Sequence, residues 1–101
     1  SLISNTTGAR ITSMGSQTLR NNTTGMDNTG IGFASVSGNT VGNYNSGHGS
    51  YSLELNTTGS NNTAVGYSAS RYNGTGSNNT SLGHGALLTN KANFCRYLLF
   101  Y

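Results

Sequence analysis

Two histidines (His48 and His84), two carboxylates (Asp27 and Glu54) and one cysteine (Cys95) are all the imidazole, carboxylate and thiol side chains the chain has for acid–base, thiol or metal chemistry. A metal ion needs three or four ligands converging on one point. No second His, Cys or carboxylate is spaced to complete such a set around either histidine. A histidine would find partners only by meeting its own copies on a threefold axis. General acid–base catalysis by paired carboxylates needs both beside one substrate, and Asp27 and Glu54 stand at different phases of the repeat set out below. The many Ser and Thr residues lack a base to activate them. The glycines are followed by no Gly-Lys-Ser/Thr of a phosphate loop. These residues predict a non-enzymatic chain with no cofactor and no metal.

Surface chemistry is better supplied. Asn-x-Ser/Thr occurs at Asn5, Asn22, Asn56, Asn61, Asn73 and Asn78, and also at Asn21 and Asn79. In a glycosylating secretory route these would be sugar acceptors, although an Asn/Thr-rich composition generates such matches by chance. Thr6, Thr23, Thr40 and Thr57 form one regular series and Thr7, Thr24, Thr58 and Thr75 another. Displayed flat, such series resemble ice-binding arrays. Tyr44, Tyr51, Tyr67 and Tyr72 are candidate surface aromatics for stacking on sugars.

What must position these residues is a 17-residue repeat. With Asn5, Asn22, Asn39, Asn56, Asn73 and Asn90 in one column, the chain falls into register without a gap. The eleventh column is then Gly15, Gly32, Gly49, Gly66 and Gly83, and the fourth is Gly8, Gly25, Gly42, Gly59 and Gly76. The tenth is Met14, Ile31, His48, Val65 and Leu82, and the fifteenth begins Leu19, Val36 and Leu53. A fixed period this short means stacked units, none able to bury a core alone. Residues 1–89 therefore read as a repeat domain: a partial repeat over 1–4 and five full ones over 5–89.

Composition sets the outer limits. Only 7% of the 101 residues are charged, there is no Pro or Trp, and 15 residues are Gly. That alone would suit a flexible linker, but linkers do not hold Gly, Thr and aliphatic residues in fixed columns. The net charge of +3 comes from scattered Arg10, Arg20, Arg71, Lys91 and Arg96, without the basic stripe of a nucleic-acid surface. No apolar run approaches the ~18 residues of a membrane span. The chain shows no signal peptide and begins at Ser1, so it reads as a mature form or a piece of something longer.

Within one repeat, Asn61 to Tyr67 alternates in the manner of a strand. Thr63 and Val65 share one face; Ala64 and Gly66 share the other. The mostly aliphatic column of Ile31, Val65 and Leu82 suits an interior row. The Ala64 column and the all-Gly column would leave a bare outer face for close approach of another backbone. A second short strand is expected around Ala69 and the Leu87 column, with Asn-Thr-Thr-Gly as the intervening turn. Two strands and two turns per 17 residues make one coil of a parallel β-solenoid. Six coils at strand spacing give a rod of roughly 25–30 Å. Asn and Thr ladders would hydrogen-bond along it. With one or two aliphatic side chains per coil, burial is outweighed by the ordering entropy of the coil, so the working unit is expected to be an oligomer.

The segments Asn28-Thr29-Gly30-Ile31-Gly32-Phe33-Ala34-Ser35, Asn62-Thr63-Ala64-Val65-Gly66-Tyr67-Ser68-Ala69 and Asn79-Thr80-Ser81-Leu82-Gly83-His84-Gly85-Ala86 resemble the head repeats of YadA-like trimeric autotransporter adhesins. The longer Asn-Thr-Thr-Gly-Ser-Asn-Asn-Thr-Ala-Val-Gly-Tyr unit is similar to repeat tracts of bacterial surface and phage-tail-fibre-like proteins. The resemblance covers residues 1–89. It implies a left-handed parallel β-roll, three chains packed side by side into a fibre segment, an extracellular, cell-surface or virion location, and no catalysis. Its partners would be further copies of the chain and a host-surface glycan or matrix protein, with no nucleic acid and no membrane contact. The sequence departs from the pattern in its longer period, in His48 among the aliphatic residues and in Ile11 where later repeats carry Asn.

Residues 90–101 are apolar and leave the register, with Asn93 where Gly is expected. They read as a cap on the stack, a junction to a further unit, or the product of a truncated or shifted reading frame. The expected function is that of a structural and adhesive fibre segment. A scaffold for a glycan-coated filament is the main alternative, and an ice-binding solenoid the third.

Overall fold

The computed structural model describes residues 2–89 with their side chains and the backbone of residues 96–98. One three-residue strand recurs in each repeat: β1 (Thr12–Met14), β2 (Thr29–Ile31), β3 (Ser46–His48), β4 (Thr63–Val65) and β5 (Thr80–Leu82). A sixth, β6 (Arg96–Leu98), follows. They pair in chain order as one parallel sheet. From Thr12↔Thr29 to Thr63↔Thr80 each residue lies against the residue of the same column, so the repeat and the coil are the same unit. The fold is an all-β parallel solenoid. At the last pairing, Thr80 lies opposite Arg96 and Leu82 opposite Leu98, one residue short of the period. The rest of the expected cap or junction over 90–101 lies outside the described residues.

The expected second strand is replaced by a ribbon of turns. In the second full repeat, Ser35 N–H donates to Gly32 O, Ser37 to Ala34 O and Asn39 to Val36 O. The intervening amides bond across coils: Ala34 to Ser16 O, Val36 to Ser52 O and Gly38 to Glu54 O. Local and inter-coil bonds thus alternate residue by residue. Ala34 (φ 56°) and Val36 (φ 52°) are left-handed, as are Gln17 and Leu19, Tyr51 and Leu53, and Ser68 and Ser70. Left-handed L-residues cost roughly 1–2 kcal/mol each. They persist here because the inter-coil bonds of the neighbouring coil fix them from both sides. The ribbon has the period-2 alternation of a strand, which is why the sequence pattern suggested one.

The interior runs opposite to expectation. Leu19, Val36 and Leu53 are fully buried, and the small column that includes Gly30, Ala64 and Ser81 faces them from the strands. The expected interior row points outward: Met14 is 61% exposed, Val65 36% and Leu82 41%, with His48 exposed and Ile31 half-buried. The coil is too flat to hold a large side chain from both walls. A Cβ on Gly47 would stand 2.6 Å from Val36 Cγ2, and one on Gly30 3.3 Å from Leu19 Cδ1. Where the fifteenth column becomes Ser70, the facing residue is Ser81 and their hydroxyls bond at 2.9 Å. The bare face is bare because the turn ribbon's side chains fill it.

Much of the remaining interior is asparagine. Asn22, Asn39, Asn56 and Asn73 are fully buried and form a chain of amides, each donating to the Oδ1 of the preceding one at 2.8–2.9 Å, with Asn5 at the end. Each also donates to the carbonyl of the Gly three residues on: Gly25, Gly42, Gly59 and Gly76. A second column, Asn28, Asn45, Asn62 and Asn79, runs beside it, and the backbone N–H groups of Asn45, Asn62 and Asn79 each donate to the amide oxygen of the member one coil before. No described buried side-chain nitrogen or oxygen lacks a partner. The two glycine columns are small for different reasons. A Cβ on Gly59 would meet Gly76 O at 2.1 Å and the Asn56 amide at 2.6 Å, whereas Gly49 is left-handed (φ 124°) and a Cβ on it would also stand 2.7 Å from Gly66 O.

Candidate functional site

Of the chemistry-bearing residues, His48 lies on the outward strand face and His84 in a turn, and no group of three or more His, Cys, Asp or Glu converges among the described residues. Cys95 lies outside the described residues. Each acid is spent on an Arg one coil away. Arg10 donates from Nε to Asp27 Oδ1 at 2.7 Å and from a terminal nitrogen to Oδ2 at 2.8 Å. Arg71 Nε donates to Glu54 Oε1 at 2.6 Å. The hydrogen bond from Arg10 holds the Asp27 carboxyl below its ordinary range, and the same contact raises the Arg10 guanidinium. Glu54 likewise raises Arg71. Both pairs tie equivalent positions of adjacent coils.

The candidate sugar acceptors divide sharply. Asn22, Asn56 and Asn73 belong to the buried ladder, so the folded coil presents none of their amides; a glycan there would remove the ladder bonds. Asn5 is half-buried at the ladder's end, and Asn61 and Asn78 are exposed in left-handed turns. The first threonine series is also committed: the hydroxyls of Thr6, Thr23, Thr40 and Thr57 donate to backbone carbonyls of the next coil. The second, Thr7, Thr24, Thr58 and Thr75, is exposed and interrupted by Val41.

Among the described residues two exposed surfaces remain, both running along the stack. One is the outward strand face, where Thr12, Thr29, Ser46, Thr63 and Thr80 form one row and Met14, Ile31, His48, Val65 and Leu82 another. Parallel pairing places each row's members on adjacent strands. The other is an aromatic ladder of Phe33, Tyr51, Tyr67 and His84. Its ring centroids are 5.5, 5.8 and 5.2 Å apart and neighbouring planes are close to perpendicular. The Arg71 guanidinium sits 4.4 Å from the Tyr51 centroid and 5.3 Å from that of Tyr72, tying the ladder to the Glu54 pair. Tyr44 and Tyr72 are not members.

The ladder escaped the sequence reading because it crosses columns. Phe33, Tyr67 and His84 follow the eleventh-column Gly directly, whereas Tyr51 is one residue further along, after Ser50. The ring restores spatially a row that the alignment shows as broken. The outward apolar row was visible as a column but assigned to the wrong side. Comparison with known proteins adds no assignment: no family model, no curated protein and no solved structure matches this chain.

Proposed function

We propose that the chain is a structural and adhesive segment of an extracellular, cell-surface or virion-borne fibre, in which several copies pack along their outward strand faces. The observation that carries this reading is the row of Met14, Ile31, Val65 and Leu82, which stands open beside a row of short hydroxyl side chains. A flat face with one aliphatic side chain on nearly every coil loses water contact cheaply and repeats at the stack's own spacing, so another copy of the chain presents a matching surface. A solenoid whose own interior holds about one large aliphatic residue per coil gains most from such cover. Three copies around an axis, and a left-handed roll, follow from the resemblance to trimeric adhesin heads.

Native mass spectrometry tests the reading. The expected result is a three-chain mass that persists on dilution, and a Val65→Lys/Leu82→Lys variant that is monomeric with an unchanged circular dichroism spectrum. A folded, monodisperse monomer at high concentration overturns it. Exposed Asn61 and Asn78 favour a second reading, a scaffold for a glycan-coated filament. Sugar-sized excess mass on those two residues, in material from its natural source, would support it.

A further inference from the structure

Phe33, Tyr51, Tyr67 and His84 place one ring on each of four successive coils. We infer that this ladder is a binding track for an extended, uncharged, β-1,4-linked polysaccharide lying along the stack. The inference deepens the adhesive reading above and rests on it.

Three features of the ladder lead to this ligand. The first is ring orientation. Neighbouring planes are inclined at 79°, 84° and 78°. Two perpendicular rings cannot both lie flat across the stack axis, so at least alternate rings turn a face sideways. Tyr67 is 51% exposed and Phe33 40%, so both side chains reach solvent. An isolated ladder serving only to join coils would gain most from closing that surface.

The second is spacing. Alternate rings of the ladder, Phe33 with Tyr67 and Tyr51 with His84, stand two coils apart, about 9–10 Å at strand spacing. A β-1,4-linked chain is straight and turns each sugar over relative to the last, so every second ring presents the same face. Its two-sugar repeat is close to two coils. An α-1,4-linked chain curves away from a straight track. The third is charge. Among the described residues, Arg71 is the charged group stacked on the ladder, and Glu54 neutralises it at 2.6 Å. The Arg71 guanidinium against Tyr51 fixes that ring without adding a net charge for an acidic sugar.

The test is isothermal titration of the full chain with cellohexaose and with chitohexaose, using maltohexaose as the curved control. Saturable binding of at least one straight hexaose, and none of maltohexaose, is expected. Phe33→Ala and Tyr67→Ala should each weaken binding about fivefold to tenfold, the loss of one aromatic contact. Tyr44→Ala, an exposed ring outside the ladder, should leave it unchanged. Amide shifts of the unmodified chain on titration should centre on residues 33, 51, 67 and 84, a readout that needs no variant to fold. No binding of either straight hexaose, equal binding of maltohexaose, or shifts centred elsewhere overturns the inference. A trimer that binds neither hexaose overturns this inference and leaves the fibre standing. A monomer that binds one overturns the assembly and leaves the track standing.

Discussion

Asn56 donates to Asn39 Oδ1 and Gly59 O and accepts from Asn62 and Asn73, all inside the coil. Asn56→Ala removes an acceptor and a donor from the middle of a buried chain of amides. It should cost about 1–3 kcal/mol for the partners left unsatisfied, read as a lower urea midpoint. Asn56→Asp should cost more, because a carboxylate cannot donate to the two oxygens it would face. The Asn column was legible as a constant, and hydrogen bonding along the stack was expected of it. Its burial was not, since Asn is usually exposed and Asn-Thr-Thr-Gly has the composition of a surface turn. The acids yield a pH prediction. Asp27 is lowered by its bond from Arg10. Its contribution is therefore present above the ordinary carboxylate range and lost as pH falls through the lowered folded value. Asp27→Asn should shrink the difference in urea midpoint between neutral and strongly acid solution, by a small amount because the pair is exposed.

At the scale of the coil, each strand contributes three residues and the turn ribbon most of the unusual backbone. Gly49→Ala and Gly74→Ala separate the two. Both glycines are left-handed, but a Cβ at Gly49 would strike the backbone of Gly66, while one at Gly74 meets nothing within 4 Å. Gly74→Ala should cost only the left-handed penalty of roughly 1–2 kcal/mol. Gly49→Ala should cost more than that and disturb the β3–β4 spacing, which thermal unfolding and amide exchange would report. The strands were legible because Thr-x-aliphatic alternation marks them, and their pairing follows from the period. Which face turned inward was not legible. Aliphatic residues occupy both the tenth and the fifteenth columns, and only the left-handed ribbon at Val36 and Leu53 decides which of them fills the flat interior. Hydrophobicity alone favoured the wrong column.

For the molecule as a whole, sequence repetition dictates that any surface feature recurs along one line. The apolar row and the aromatic ladder are two such lines. The first is visible in the sequence as a column; the second is not, because the ladder steps from one column to the next at Tyr51. Since the fibre reading uses the first line and the glycan track the second, Val65→Lys/Leu82→Lys should abolish association without weakening hexaose binding per chain. Analytical ultracentrifugation beside the titration would show both. The inter-coil hydrogen bonds have a further consequence. Thr63 N–H to Asn79 O, Gly66 N–H to His48 O and their equivalents all join one coil to the next. A tension applied between the two ends along the stack therefore loads few of these bonds at a time, in the manner of a zip. The chain should peel coil by coil, each release lengthening it by roughly 50–60 Å, the span of 17 extended residues less one strand spacing. A single chain would be a weak tether with many equal steps, and side-by-side packing of copies would be what lets such a segment carry a load.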